Sequence, residues 1–99
     1  MEKSDVIAAL GALAQETRLD VFRALVEYRP DGLSAGRIGE LLDLNPTTLS
    51  FHLSQLKHAG LVEATRAGRS LIYSARTDAV DEVADFLREN CCSKGDGAP

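Results

Sequence analysis

The chain has no tryptophan, one methionine and only five aromatic residues among its 99. A core built here must be filled almost entirely by aliphatic side chains, and the length suits one domain rather than several. No apolar run is long enough to span a bilayer and no signal peptide opens the chain, so no membrane association is expected. Only two cysteines occur, Cys91 and Cys92, and they are adjacent. They cannot staple distant parts of the chain, which excludes a disulfide scaffold and makes a reducing, cytoplasmic location the simplest reading. Neither cysteine has the Cys-x-x-Cys spacing of a redox motif, and no base–nucleophile pair is present by motif, so the chain is not expected to be an enzyme.

Positive charge is also scarce, with 11 Lys and Arg against 15 Asp and Glu and a net charge of −4. The deficit is unevenly spread. Residues 1–44 hold five cations and eight acids, and residues 77–99 hold two cations and six acids. Between them, Lys57, Arg66, Arg69 and Arg76 face Glu63 alone, leaving this stretch at +3. Affinity for phosphate depends on the local field, so a nucleic-acid surface is expected in this middle stretch. The acidic remainder keeps the protein soluble and weakens binding to random DNA.

The same middle stretch organises the chain. In Leu44–Val62, LNPTTLSFHLSQLKHAGLV, Asn45 suits a helix N-cap and Pro46 the first helical position, where no N–H is needed. Leu49, Leu53 and Leu56 recur as one apolar stripe, and Gly60 supplies the stop. The opposite face carries Thr47, Thr48, Ser50, His52, Gln55 and Lys57, with Phe51 beside them. A face of small hydroxyls, amides and cations matches the hydrogen-bonding edges of the DNA major groove. Pro46, Thr47, Thr48, Ser50, Phe51, His52, Gln55 and Lys57 are therefore candidate DNA-binding residues. Phe51 has two uses, contact with a thymine methyl or packing against the hairpin that follows, and packing is favoured. His52 has two as well, a base or phosphate contact or a hydrogen bond within its own domain.

The flanking segments complete the pattern. Residues 4–15 read as a helix capped by Ser4, with Val6, Ile7, Leu10, Leu13 and Ala14 as a broad apolar face. That face is too apolar for a lone surface helix. A second helix over about 16–28 places Leu19, Phe22, Leu25 and Val26 at helical spacing and ends at Arg29-Pro30-Asp31-Gly32. Ser34 caps a third, reaching about Leu42, with Ile38, Leu41 and Leu42 inward; Asp43-Leu44-Asn45 then turns into the central helix. Two helices so joined form a helix-turn-helix unit. Leu61–Arg66 and Leu71–Ala75, separated by Ala67-Gly68-Arg69-Ser70, read as a hairpin wing with Arg66 and Arg69 at its tip for phosphate or the minor groove. Thr77 caps a last helix with Val80, Val83, Ala84 and Leu87 as its stripe, flanked by Phe86, reaching Cys91. The expected fold is mostly α with a β-hairpin wing, in the order ααααββα. Residues 1–92 form the DNA-binding and dimerisation domain and 93–99 a flexible tail.

Taken together, Leu13-Ala14-Gln15-Glu16-Thr17-Arg18-Leu19, Leu49-Ser50-Phe51-His52-Leu53, Leu56-Lys57-His58-Ala59-Gly60-Leu61-Val62 and the hairpin GRSLIYS resemble the ArsR/SmtB family of winged-helix repressors over about residues 5–90. The resemblance implies a homodimer through the first and last helices, bound to double-stranded operator DNA until an effector releases it. Members of that family place their effector sites in different elements. Leu33–Ile38, where many arsenic and cadmium sensors carry thiols, has none. Asp78, Asp81 and Asp85 on the last helix lack the histidines of the zinc sensors. Cys91 and Cys92 remain, and they resemble the branch of arsenic repressors with C-terminal vicinal thiols. Some members of that branch carry a third thiol, absent from residues 93–99.

Soft, thiophilic As(III) suits two neighbouring thiolates. With only two sulfurs the third ligand is water, a small thiol or a methyl group, so methylarsenite fits at least as well as arsenite. The expected effector is thus arsenite or methylarsenite, with Sb(III) next, and no cofactor is required. The alternative within this fold is a repressor that responds to thiol oxidation or to another soft metal. From other classes, a protein-interaction module and a metal carrier remain. DNA binding that weakens with salt separates the first of these from a DNA-binding protein.

Overall fold

A computed structural model describes residues 1–89, and Cys91 and Cys92 lie outside them. The elements run α1 (Lys3–Leu13), α2 (Glu16–Glu27), β1 (Leu33–Ser34), α3 (Ala35–Leu42), α4 (Pro46–His58), β2 (Val62–Ala67), β3 (Ser70–Ala75) and α5 (Thr77–Arg88). The expected helix order and the hairpin are present. One strand, β1, was not expected.

Local chemistry fixes the helix starts. The Asp5 carboxylate accepts from the Glu2 N–H at 2.9 Å, so α1 begins ahead of Ser4, which lies inside the helix rather than capping it. Gln15 takes the cap of α2, its side-chain oxygen accepting from the Arg18 N–H at 2.8 Å. Ser34 and Asn45 cap α3 and α4 as the sequence predicts, accepting from the N–H groups of Arg37 at 3.2 Å and Thr48 at 2.8 Å. These contacts satisfy helix-end donors that would otherwise have no partner. Thr77, in contrast, is inside α5; the residue before it is Arg76, with no side-chain cap. Arg76 instead donates to the Asp78 carboxylate at 3.0 Å, which lowers the Asp78 pKa and joins the end of β3 to α5.

The helix-turn-helix bend depends on a left-handed residue and a close approach. Asp43 ends α3 at φ 56°, and three residues separate α3 from α4. A Cβ on Gly39 would lie 3.0 Å from the Leu44 carbonyl oxygen, so the turn folds tightly against a residue with no side chain.

The three strands form one antiparallel sheet in the order β1-β3-β2. Val62 to Ala67 pair with Ala75 back to Ser70, closing the hairpin at Gly68 and Arg69. Gly68 has φ +64°, the left-handed geometry that such tight turns demand. Leu33 and Ser34 pair with Tyr73 and Ile72 on the other edge of β3. Gly32 permits this: at φ +79°, a Cβ there would lie 2.5 Å from the Tyr73 carbonyl oxygen.

The core sits where α2, α4 and the base of the sheet meet. Leu25, Ile38, Leu49, Leu56, Leu61 and Val21 are its largest fully buried side chains. On α1 the buried positions are Val6, Ala9 and Ala12, and Ile7 (61% exposed) and Leu10 (41%) face outward. Leu19, Val26 and Leu41, expected inward, are exposed; on α2 the buried positions are Val21, Phe22 and Leu25. On α5, Ala79 and Val83 are buried, while Leu87, assigned to the stripe, is 60% exposed. The two terminal helices are neighbours, with the Met1 amine 3.9 Å from the Glu82 carboxylate. Glu89 leaves helical geometry at ψ 127°, so α5 ends at Arg88, and the expected reach to Cys91 lies outside the described residues. Among the described residues no helix is long and apolar enough to cross a membrane.

Candidate nucleic-acid interface

α4 buries Leu49, His52, Leu53 and Leu56 and exposes the rest of its middle turns. Pro46, Thr47, Thr48, Ser50, Phe51, Ser54, Gln55 and Lys57 are all exposed. The helix begins with a satisfied cap and the positive end of its dipole, and ends with Lys57 and His58 in the last turn, where cations are favoured. One side is thus locked in the core while the other is a continuous polar surface with a single aromatic ring.

His52 is the correction on this face. It is only 8% exposed and belongs to the buried side of the helix, one turn on from Leu49 and one turn before Leu56. Its Nδ1 accepts from Arg18 Nη1 at 3.3 Å. An imidazole that accepts from a guanidinium is neutral there, and burial first, then the Arg18 charge, holds its pKa below the ordinary 6.5. His52 therefore joins α4 to α2 and is not available to bases. Arg18 is fixed in turn by its Nε, which donates to the Ala12 carbonyl at 2.9 Å. One guanidinium thus spans the end of α1, the start of α2 and the middle of α4.

Phe51, expected to pack on the wing, has Arg18 and His52 as its partners. Its ring meets the His52 ring edge-on at 5.7 Å, and the Arg18 guanidinium lies 6.0 Å from its centroid, in cation–π range. It remains 57% exposed.

The wing carries Arg66 and Arg69 at its tip, both exposed. They border an open hollow of about 520 Å³ that also takes in Ser34 and Gly36 at the start of α3 and Ser70, Leu71 and Tyr73 on β3. Ser34, Gly36 and Ser70 line this hollow without having been candidates in the sequence. The signal for Ser34 was present, since a capping serine marks a helix end carrying partial positive charge. Its nearness to the wing follows only from the pairing of β1 with β3. No group of three or more His, Cys, Asp or Glu side chains placed to hold a metal occurs among the described residues.

A buried-backed helix with a polar front, preceded by a capped partner helix and followed by a basic hairpin, is a winged helix-turn-helix DNA-binding module. Comparison with known proteins agrees. Residues 13–65 match the family described as a helix-turn-helix domain. The transcriptional activator HlyU of Vibrio cholerae is 29% identical over 94 residues, covering 93% of this chain and 84% of HlyU. Its structure superposes with a TM-score of 0.70, over 92% of this chain and 99% of that one. An ArsR-like transcriptional regulator from Rhodococcus reaches a TM-score of 0.81 at 26% identity, covering 92% and 83% of the two chains. The homodimeric winged helix-turn-helix DNA-binding domain of a Mycobacterium bovis protein gives 0.72 at 25% identity, covering 97% and 89%. The chain belongs to this helix-turn-helix family, as an ArsR-like winged-helix transcriptional regulator rather than an enzyme.

Proposed function

We propose that the chain is a homodimeric repressor that holds operator DNA until Cys91 and Cys92 bind a trivalent arsenical, arsenite or methylarsenite, with antimonite as a weaker effector. The observation that carries the DNA-binding half is the exposed face of α4, where Thr47, Thr48, Ser50 and Gln55 stand opposite a leucine stripe that is wholly buried. These side chains suit base edges, and Lys57, Arg66 and Arg69 suit phosphate. Pairing is supported by Ile7, Leu10 and Leu87, apolar side chains facing outward on the two terminal helices. The Mycobacterium bovis domain, which is homodimeric, supports it too. Two copies so joined set their α4 helices about one DNA turn, ~34 Å, apart on a near-palindromic site.

The effector half rests on the chemistry of adjacent cysteines. Neighbouring Cα atoms lie about 3.8 Å apart across a trans peptide. A relaxed disulfide needs roughly 4.4–6.8 Å. Two such thiols are therefore strained as a disulfide but well placed to chelate one larger thiophilic atom, releasing protons as they do so. A coupling of about 1–3 kcal/mol between thiol site and DNA surface is enough for release. α5, one of the two paired helices, directly precedes the cysteines in sequence, which makes it the proposed route. A redox-responsive regulator is the second reading, favoured by the likeness to HlyU, whose structure is known in a reduced form.

Gel shifts with arsenite, methylarsenite, antimonite, zinc and peroxide separate these readings. Release by methylarsenite that disappears in Cys91→Ser/Cys92→Ser, with basal DNA binding intact, is the expected result. Release by arsenical in the double variant removes the cysteines from the mechanism. Release by peroxide alone selects the redox reading.

A further inference from the structure

We infer that Phe51 reads a thymine, its ring making apolar contact with the C5-methyl group in the major groove. The inference rests on the DNA-binding reading and assigns a base to one position of it.

Phe51 is the one large apolar side chain that α4 exposes. It is the sixth residue of that helix, in the half that opens with the Asn45 cap, and Thr47, Thr48, Ser50 and Gln55 are exposed around it. The N-terminal half of a recognition helix is the part that meets base edges. An exposed ring on such a surface ordinarily collapses onto its neighbours, but this one is held in place. The edge of His52 fixes one side, and the Arg18 guanidinium lies over the ring, itself tied to the Ala12 carbonyl. The ring is thus presented outward in a set position without being buried.

Its chemistry selects the base. A phenyl ring neither donates nor accepts a conventional hydrogen bond, so against guanine, cytosine or adenine it would desolvate polar edges and return nothing. Thymine alone among the four bases offers a methyl group in the major groove. A second copy of the chain is a poorer occupant, because the outward apolar side chains of the terminal helices, Ile7, Leu10 and Leu87, lie on other elements.

The test needs no known operator. A duplex is selected by the wild-type protein from a library with a random core, and then remade with deoxyuridine replacing each thymine in turn. One thymine per half-site is expected to respond, its methyl loss weakening binding about fourfold, or roughly fifteenfold when both half-sites are changed, as burial of one methyl group implies. In Phe51→Ala the thymine and deoxyuridine duplexes should bind alike at that position, and Phe51→Leu should restore part of the difference. Thermal melts of both variants check that the fold is kept. A selected duplex indifferent to every methyl, or a methyl effect that survives in Phe51→Ala, overturns the assignment while leaving DNA binding standing. A library that never enriches overturns the DNA-binding reading and this inference with it.

Discussion

α1 and α4 are helices of similar length that each bury one side, yet they turn different surfaces outward. α4 offers hydroxyls, an amide and a cation around one ring, whereas α1, beyond the polar first turn of Lys3, Ser4 and Asp5, offers Ile7, Ala8, Leu10 and Gly11. Water or base edges satisfy the first surface. Only another apolar surface satisfies the second, and α5 beside it presents Leu87 in the same way. On the proposed reading the contrast divides the work of the chain: one helix meets nucleic acid, and the terminal pair meets a second copy.

The comparison can be broken first inside α4. Leu56→Ala, at a fully buried position, is expected to cost about 2–5 kcal/mol in a denaturant melt, whereas Thr47→Ala on the opposite face should stay within about 0.5 kcal/mol and act on DNA affinity instead. Equal stability losses would mean that the two faces are not distinct. Breaking the other side, Ile7→Glu with Leu10→Glu should leave a folded monomer in sedimentation. It should lower affinity for a palindromic duplex by about 100-fold or more, because two linked reading heads become one. Removing Arg66 and Arg69 together takes four cations from a dimer and should reduce the slope of log affinity against log salt by about 3.6, with little change in sequence preference. A changed preference with an unchanged slope would place the wing tip on bases rather than phosphate. Asn45→Ala should cost about 1 kcal/mol through the lost contact to the Thr48 N–H.

The smallest effect is with pH. His52 has a folded pKa below its ordinary 6.5, so the unfolded chain takes up its proton first as pH falls. The stability that His52 contributes is complete above 6.5 and is lost between 6.5 and the lower folded value. Denaturation midpoints measured downward from about pH 7.5 should fall across this window, and a flat profile would show that His52 is not held neutral.

Much of this arrangement was legible in the sequence because it is written locally. Asn45-Pro46 and Ser34 carry their own capping chemistry, the leucine stripe its own period, and Gly68 its own turn. What was missed depends on contacts made at a distance. β1 has two residues, too few to show a period, and exists because Gly32 lets the chain approach Tyr73. His52 has two uses open in the sequence, and the one the structure shows, a hydrogen bond within its own domain, depends on Arg18, 34 residues away. Phe51, expected against the wing, has the same Arg18 over its ring, likewise distant in sequence. On α2 the buried positions are Val21, Phe22 and Leu25, and apolar Leu19 and Val26 beside them in sequence widen the stripe beyond what the core covers.

Fluorescence anisotropy of a labelled duplex, selected by the protein and titrated at several salt concentrations, tests the division between reading helix and pairing helices most directly. Saturation at two chains per duplex, with affinity falling steeply as salt rises and lost in Ile7→Glu/Leu10→Glu, is the expected result. One chain per duplex, or an affinity indifferent to salt and to that pair of substitutions, would contradict it.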